Sequence, residues 1–387
     1  MNKYIVLIII LGLISCNKQS TNKETSQSVE TILIQTDRVE SHYDLSPKVS
    51  QQFQIIPLET TDECIITEIT QMLIQGNDIV ISDKKTQRIY HFDISGKFLN
   101  FIGKLGGGPN EYSDLGAIEI IENELYLYDK GKHYICVYDL NGDFKRKVSD
   151  EEYYYSESML YLNNRLYSIT NYTQSDLGFY NLIKRDLTTN KIEGYCQFEK
   201  EISDFQQYWK LERYFSKNNN YSLFQYSNND VIYSIDNDSV FPKYKIVFSE
   251  RKIPDSEIKK GARSALYFAL EKNYILGINS INDTDSLLLM RYSDNSIYDV
   301  VYDKKLRKCT TYNWLLFSHL GNLLVTNYHT YDNKLIMAQD AYMFRDAWER
   351  QYSQSNFNRE ENRVIMSNLY DRLSDDDNPV VFIFNFK

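Results

Sequence analysis

Residues 78–112 read DIVISDKKTQRIYHFDISGKFLNFIGKLGGGPNEY and contain three short apolar runs, each closed by a turn. The runs are Ile79–Ile81, Ile89–Phe92 and Phe98–Ile102. Each is rich in β-branched or aromatic residues and has the length of a strand. Three strands so close in sequence pair as neighbours in an antiparallel meander. The stretch therefore predicts one sheet unit of an all-β fold.

Similar units recur along the chain. Their anchor strands begin at Ile79, Leu125, Leu166, Tyr221, Ile275 and Leu323. A further apolar run precedes each anchor, at Ile69–Ile74, Ala117–Ile121, Met159–Leu162, Leu211–Phe215, Ala265–Leu270 and Trp314–Phe317. A repeat of about 50 residues with four strands is typical of a propeller blade. The sequence therefore predicts an all-β, six-bladed β-propeller with four-stranded blades.

The two ends of the chain complete the sixth unit, which lacks two strands in sequence order. Val380–Phe386 at the C-terminus supplies one strand, and Phe53–Leu58 ahead of the first unit supplies the other. A blade built from both ends closes the ring and holds both termini in place. We therefore expect residues 51–387 to form one propeller, closed by N- and C-terminal strands.

A helical insertion over residues 331–378 interrupts the last blade. Two sets of apolar residues spaced four apart predict a pair of helices: Phe344, Trp348 and Tyr352, then Ile365, Leu369 and Leu373. The pair either caps one end of the ring or packs on its outside. A short helix is also expected over Asp255–Leu270, because Pro254 and an acidic first turn precede it.

The N-terminus has the pattern of a targeting segment. Lys3 is followed by the apolar run Tyr4–Ile14, which is too short to span a membrane and predicts a signal peptide over residues 1–15. The run ends in Leu-Ile-Ser-Cys, which resembles the lipobox of bacterial lipoproteins and implies that Cys16 is lipidated and anchors the chain to a membrane. The alternative is a secretory signal with a chance cysteine. Residues 16–50 begin with a polar stretch and are expected to form a flexible tether.

Composition and motifs exclude several functions. The net charge is −10 and no basic stripe is present, so nucleic-acid binding is not expected. Histidine and cysteine spacings match no metal site, and neither a Walker A loop nor a GxSxG elbow occurs, so no cofactor, metal or catalytic residue is predicted. The remaining cysteines are interpreted as buried free thiols, with disulfide pairing left open: Cys64, Cys136, Cys196 and Cys309.

The segment 79–103 resembles an NHL-type propeller repeat, with an Asp after the first strand, an Arg-Ile strand and a Gly turn. The wider chain is similar to the six-bladed β-propeller lipoproteins of Bacteroidetes, through IPLET at 56–60, GGGPNEY at 106–112 and NPVV at 378–381. Asn110 stands where that family favours a second Gly. The resemblance implies the fold and a lipid-anchored place in the cell envelope, at the outer membrane with its face open. It implies no reaction.

Two candidate ligand-binding sets follow from these motifs. The first is the loop with Gly106, Gly107, Gly108, Glu111 and Tyr112, in which glycines permit close backbone approach. The loop is either a structural turn or a ligand contact with an acceptor and a stacking ring. The second set is Asp83 and Asp129, which end equivalent strands. Their side chains either line one end of the ring or bond local backbone N–H groups.

Two functions remain at this point. The absence of catalytic motifs favours a non-enzymatic binding or interaction module in the cell envelope, for a glycan, a peptide or a partner protein. The alternative is a carbohydrate-active hydrolase or lyase that uses the central channel, by analogy with other propellers. Carboxylates or histidines converging in the channel would favour the enzyme, whereas aromatic and amide side chains would favour the binding module.

Overall fold

The computed structural model describes residues 28–148, 154–203 and 210–387. The predicted signal peptide, Cys16 and the first part of the predicted tether lie outside these residues. In the part of the chain that the structure describes, the fold is all-β and propeller-like, with four α-helices. Four blades are recognised in the ring rather than six, so the count of six stays a prediction.

The first half of the chain contributes fifteen strands: β1 (Glu30–Ile34), β2 (Val39–Asp44), β3 (Val49–Pro57), β4 (Gln71–Gln75), β5 (Asp78–Asp83), β6 (Arg88–Asp93), β7 (Phe98–Phe101), β8 (Leu115–Ile121), β9 (Glu124–Asp129), β10 (Tyr134–Asp139), β11 (Phe144–Val148), β12 (Ser158–Leu162), β13 (Arg165–Ile169), β14 (Tyr180–Asp186) and β15 (Ile192–Gln197).

The second half contributes twelve strands and the helices, again within the described ranges: β16 (Phe215–Asn218), β17 (Tyr221–Phe224), β18 (Val231–Asp236), β19 (Ser239–Phe248), α1 (Asp255–Ile258), α2 (Ala262–Lys272), β20 (Ile278–Asp283), β21 (Leu287–Ser293), β22 (Ile297–Asp303), β23 (Lys308–Phe317), β24 (Leu323–Leu324), β25 (Tyr328–Tyr331), β26 (Lys334–Gln339), α3 (Ala341–Arg350), α4 (Glu360–Arg372) and β27 (Val380–Phe386).

Antiparallel four-stranded units form the sheets. Strands β4–β7, β8–β11 and β12–β15 are three separate sheets, and β20–β23 form a fourth with β24 paired to β23. The remaining sheet holds two units, β16–β19 and β25-β26-β27-β3, which one parallel pair between Lys217 and Tyr331 joins. Because β16 and β25 pair directly, the described residues form five sheets although they contain six four-stranded units.

The two ends of the chain meet in the last unit. Strand β27 pairs antiparallel with β3, with Val381 opposite Ile56 and Phe384 opposite Phe53. This is the pairing that the sequence predicts. The other half of that unit differs from the prediction, because its first strands are β25 and β26. The expected anchor at Leu323 is only the two-residue strand β24, and Trp314–Phe317 ends β23 of the preceding unit.

Hydrophobic cores lie between consecutive units around the ring. Val80 and Ile89 of the first unit pack with Ile118 and Leu127 of the second. Further cores join the second to the third, the third to the fourth, the fourth to the fifth and the fifth to the last unit. The last core joins Ile336 and its neighbours to β5 and β6 of the first unit. Each sheet thus has both faces covered.

The segment predicted as a tether carries structure from Glu30 onwards. Strand β1 pairs in parallel with β19, and β2 pairs in parallel with β23, so each adds a strand to the outer edge of a unit. In β1 the side chains of Ile32 and Ile34 are buried while those of Thr31 and Leu33 are exposed. This alternation gives the strand an apolar face that a flexible tether would leave in water.

Two further expectations differ from the structure. Ala265–Leu270 is not a strand of the fifth unit but part of α2, in which Ala262, Ala265 and Ala269 bury one helical face. Helices α1 and α2 confirm the helix that the sequence predicts over Asp255–Leu270. The fifth unit begins instead with β20 at Ile278, so the anchor at Ile275 is out of register. The helices of the insertion, α3 and α4, lie within residues 340–379, and Lys334–Gln339 inside the predicted range is a strand.

The inserted helices pack into the core between the fifth and the last unit. Phe344, Trp348 and Met366 are buried there with Phe382 of β27, and Tyr352 accepts a hydrogen bond from the backbone N–H of Leu324 at 3.1 Å. Among the described residues, none from α3 or α4 lines the central cavity of the ring. The insertion therefore extends the core beside two sheets.

We expect Phe384→Ala to destabilise the protein strongly, because Phe384 sits where the two chain ends meet. Its ring is 0% exposed and stacks on Phe317 with 4.0 Å between centroids and on Phe53 with 5.7 Å. Truncating a buried Phe costs about 3–5 kcal/mol in the free energy of unfolding. Urea unfolding followed by circular dichroism measures it.

Leu306→Ala is the matched control, since Leu306 is 69% exposed. Its change in unfolding free energy should stay within about 0.5 kcal/mol. Equal losses in the two variants would show that the junction of β3 and β27 adds no special stability.

Candidate channel site

The glycine loop after the first unit is closed on itself. The carboxylate of Glu111 accepts a hydrogen bond from the backbone N–H of Gly108 at 2.8 Å and pairs with Lys104 at 3.3 Å. These bonds, led by that of Gly108, lower the pKa of Glu111. A Cβ atom on Gly106 would lie 2.0 Å from Oε2 of Glu111, so glycine is needed for the carboxylate to fold back.

Tyr112 ends the loop inside the protein. Its ring is buried, and its hydroxyl donates to the backbone carbonyl of Gln87 at 2.7 Å. Gly106 N–H donates to the carbonyl of Tyr112, which shuts the turn. The carboxylate of Glu111 and the side chain of Tyr112, which the sequence suggests as ligand contacts, are therefore both engaged by other residues of the protein. A Cβ atom on Gly107 would meet open space.

Asp83 and Asp129 are buried, and each carboxylate holds two segments of backbone together. The carboxylate of Asp83 accepts backbone N–H bonds from Thr67, Glu68, Lys85 and Thr86. That of Asp129 accepts backbone bonds from Ser113, Asp114, Gly131 and Lys132, together with the hydroxyl of Ser113. Each aspartate fastens the segment before an inner strand to the turn after the next strand. Neither residue lines the central cavity, nor does the Gly106–Tyr112 loop.

The cavity that the structure does place at the centre lies among the inner strands. It has a volume of about 180 Å³ and is walled by β4, β8, β12, β16 and β25 with the segments that lead into them. Its polar lining combines charged, amide and aromatic side chains: Gln71, Gln75, Lys84, Glu119, Glu157, Glu212, Arg213, Tyr214, Lys217, His329 and Tyr331. This space is the candidate site.

Glu119 on β8 is held in its neutral form at pH 7. Removal from bulk water raises the pKa of its carboxyl to about 8, and the positive charge of Lys217 acts weakly in the opposite direction. Lys217 in turn donates to the hydroxyl of Tyr331 at 3.2 Å and lies over its ring. The side chain of Glu119 lines the cavity and is partly buried.

Glu157 at the start of β12 is ionised. Burial alone would raise its pKa, but the charges of Lys130 and Lys210, 3.8 and 3.0 Å away, outweigh burial and lower it. The hydroxyl of Tyr155 also donates to it at 2.5 Å. Nearby, burial and the neighbouring Lys130 lower the pKa of Lys84 to about 8.

Arg213 and His329 complete the lining. Burial lowers the pKa of Arg213 to about 10, with the charge of Glu212 acting in the opposite direction. Burial, and then the positive charge of Arg213, lower the pKa of His329 well below its usual range, so its ring is neutral. Within the described residues, neither side chain has a hydrogen bond or an ion pair.

The sequence carries a signal for some of these residues. Lys84 and Lys130 directly follow the repeated Asp83 and Asp129, so alignment of the first two units places a lysine at the same position in both. Arg213 and His329 belong to units whose repeats match loosely, and no local pattern marks them. The cross-strand pairs that bring them together are formed by parts of the chain over one hundred residues apart.

Other expected features can be placed briefly. Cys64 and Cys136 are buried, Cys196 and Cys309 are partly buried, and all four are unpaired. Among the residues described, no group of three or more His, Cys, Asp or Glu side chains is arranged to hold a metal ion. No helix in the described ranges has the length and apolar character needed to cross a membrane.

We expect the unfolding free energy to fall as pH rises from about 5 to about 8, by about 1–2 kcal/mol after allowance for water in the cavity. The folded protein keeps a proton on Glu119 that the unfolded chain releases near pH 4.5. Glu119→Gln removes this part of the dependence. Urea unfolding at pH 5.5 and 8.5 measures the difference.

The control is Glu68→Gln, at an exposed position outside the cavity. It should leave the pH dependence as in the wild-type protein. Equal pH slopes for the wild-type protein and Glu119→Gln would mean that Glu119 titrates near 4.5 and is not shielded.

Comparison with known proteins gives a family and a fold. The family model described as Domain of unknown function (DUF4934) matches residues 36–385. No curated protein matches the chain. A solved structure of a Bacteroides fragilis protein, described as a candidate exported protein, is similar with a TM-score of 0.70 at 18% identity, over 92% of this chain and 99% of that one.

Two more distant structures also come from Bacteroides species. A DUF4221 family member from Bacteroides vulgatus has a TM-score of 0.48 at 10% identity, over 88% of this chain and 99% of that one. The extracellular domain of a one-component system from Bacteroides thetaiotaomicron has a TM-score of 0.41 at 12% identity, over 75% of this chain and 33% of that one. Structural similarity at these TM-scores supports no conclusion about this protein.

Proposed function

The chain belongs to the family described as Domain of unknown function (DUF4934), and we propose that it is a cell-envelope binding module whose ligand enters the central channel. The observation that carries this proposal is the cavity among the inner strands, where charged and aromatic side chains of five strands face one space. Buried charged groups without partners are costly unless something binds them. Arg213 is partly buried and has no hydrogen bond or ion pair among the described residues, so it bears part of this cost.

We also propose that the ring has six blades, one for each four-stranded unit. The six hydrophobic cores between consecutive units support this arrangement, because each unit then packs on two neighbours. The pair between β16 and β25 draws two inner strands together beside β20. This local pairing joins two units into one hydrogen-bonded sheet, and each unit still forms a separate blade. NHL-like repeats belong to the same proposal, and they rest on the sequence of the first two units.

The proposed location is the outer membrane, reached through a lipid on Cys16. The lipobox-like sequence before Cys16 supports it, and so does the exported protein of Bacteroides fragilis to which the fold is similar. Both membrane faces remain open to this arrangement.

The size of the cavity limits the class of ligand. A space of about 180 Å³ is below the range of about 300–1,000 Å³ usual for sites of drug-sized molecules. A folded partner protein cannot enter it. A small molecule, or one terminal unit of a glycan or peptide, fits these dimensions. Strands β4, β8 and β12 each have one edge that pairs with no strand in the described part of the chain, and these edges add backbone donors and acceptors.

We expect Ser158→Trp to abolish ligand binding, because Ser158 lines the cavity and an indole would fill much of it. The full chain in detergent is first screened by thermal shift against oligosaccharides and short peptides. A ligand that raises the melting temperature of the wild-type protein should leave that of Ser158→Trp unchanged.

Ser374→Trp serves as the control, since Ser374 is exposed beyond the C-terminal end of α4. It should respond to the ligand like the wild-type protein. A ligand that shifts all three proteins equally binds elsewhere, and the channel proposal would then be wrong.

A second candidate, a carbohydrate-active hydrolase or lyase in the same channel, is favoured by one observation. Glu119 lies on β8 and Glu157 directly precedes the neighbouring strand β12, and their environments move the two pKa values in opposite directions. A protonated and an ionised carboxyl facing one space is the arrangement of an acid and a base. Against it stands the engagement of Glu157 by two lysines and a tyrosine.

Glu119→Gln separates the two candidates. If the enzyme is right, the wild-type protein cleaves its glycan ligand, and this substitution lowers the rate by about 10²–10⁴-fold while binding persists. Reducing ends released over time give the rate. A ligand recovered intact after prolonged incubation with wild-type protein would exclude this candidate and leave the binding module.

A further inference from the structure

The guanidinium of Arg213 faces the central cavity without an acceptor. Its acidic neighbour in sequence, Glu212, bonds to Arg291 instead, at 3.1 Å. Within residues 28–148, 154–203 and 210–387, no carboxylate or carbonyl accepts a hydrogen bond from the Arg213 side chain. A guanidinium keeps its charge in a protein and presents up to five N–H donors in a plane. The site therefore offers a fixed cation with unused donors.

His329 stands beside this cation. Its imidazole lines the same cavity, is 6% exposed, and has no hydrogen bond within the described residues. Burial, and then the positive charge of Arg213, lower its pKa and keep it neutral. A neutral imidazole has one N–H that can donate to an oxygen. The wall of the cavity thus holds two hydrogen-bond donors that have no acceptor among the described residues.

The remaining charges of the cavity reinforce this preference. Lys84 and Lys217 are further cations in its wall, while Glu119 keeps its proton and carries no charge near pH 7. Glu157 is paired with lysines from outside the lining, and Glu212 is paired with Arg291. The cavity is therefore electropositive inside a chain whose net charge is −10. This local reversal of sign attracts an anion into the ring.

We propose that the ligand of the channel carries an oxyanion group, which accepts paired hydrogen bonds from the guanidinium of Arg213 and one from the imidazole of His329. This inference rests on the proposed function and adds the chemical class of the ligand. Two oxygens of a carboxylate or phosphate match the fork of a guanidinium. An acidic sugar at the end of a glycan and a free inorganic anion both supply this chemistry.

Binding is measured by calorimetry on the full chain in detergent, with galacturonate, galactose, inorganic phosphate and sulfate as probes. Binding of galacturonate without galactose would assign the anion to an acidic sugar. Binding of phosphate or sulfate at similar strength would assign it to a free anion. Either result supports the oxyanion site, provided that Arg213 is required.

Arg213→Met tests that requirement. Loss of a charge-assisted hydrogen bond should weaken anion binding about 10–100-fold. Because the guanidinium has no partner when the cavity is empty, Arg213→Met should melt at the same temperature as the ligand-free wild-type protein or higher. A structural role for Arg213 would instead lower that temperature. Arg350→Met, at a position 77% exposed on α3, is the matched control and should change neither quantity.

His329→Gln provides a second variant that keeps a donor in the cavity. We expect it to retain most of the anion affinity, while His329→Leu loses it in part. The imidazole signal of His329, assigned through these variants, should shift in nuclear magnetic resonance spectra when the anion binds.

The outcomes also separate this inference from the proposed function. A neutral ligand that shifts the His329 signal and binds Arg213→Met as well as wild-type protein would overturn the oxyanion site and leave the channel as a binding site. Failure of all four probes at millimolar concentration would overturn the oxyanion site too. Anion binding that Ser158→Trp does not affect would contradict both proposals, since the anion would then lie outside the channel.

Discussion

The antiparallel pair between β3 and β27 is the interaction on which the rest of the fold depends. A four-stranded sheet has two apolar faces, and each unit of this chain covers one face of its neighbour. The series leaves two open faces unless the last unit also packs on the first. Because β3 comes from one end of the chain and β27 from the other, that last unit exists only when both ends are in place. Closure therefore links the stability of all units to two terminal strands.

The same closure produces the central cavity. Stacked sheets present their inner edges to one axis, so the first strands of the units meet there rather than in a packed core. Asp83 and Asp129 hold the segments that enter these strands by accepting backbone N–H bonds from both sides. Their carboxylates thus fix the position of the wall without facing the cavity. The residue that follows each aspartate, Lys84 or Lys130, therefore lies near the charged residues of the cavity wall.

The sequence predicts the all-β units well where the repeat is regular. The runs around Ile79 and Leu125 alternate with clear turns, and strands β4–β11 lie where the pattern places them. Prediction fails where tertiary packing overrides local pattern. Ala265–Leu270 is apolar enough for a strand, but its alanines are spaced for a helical face, and of the two predictions made for this segment the helix is the one confirmed. Residues 30–44 look like a continuation of a polar tether, and their partners, β19 and β23, lie over two hundred residues away.

The candidate site was less accessible to sequence reasoning for a related reason. A motif stands out in a sequence when its residues are unusual in their local context. The glycine loop and the repeated aspartates are unusual because the backbone conformation at these positions requires them. Arg213 and His329 are ordinary residues in irregular segments, and they become unusual only when ring closure removes them from water.

The charge of the channel follows from the same geometry. An acidic surface and a cationic channel coexist in one chain because the acidic groups of the cavity are neutralised one by one, through a retained proton on Glu119 and lysine partners for Glu157. The guanidinium of Arg213 has no such partner within the described residues. A protein that holds a partly buried, unpaired cation in the wall of its central cavity bears a cost that an incoming oxyanion would offset.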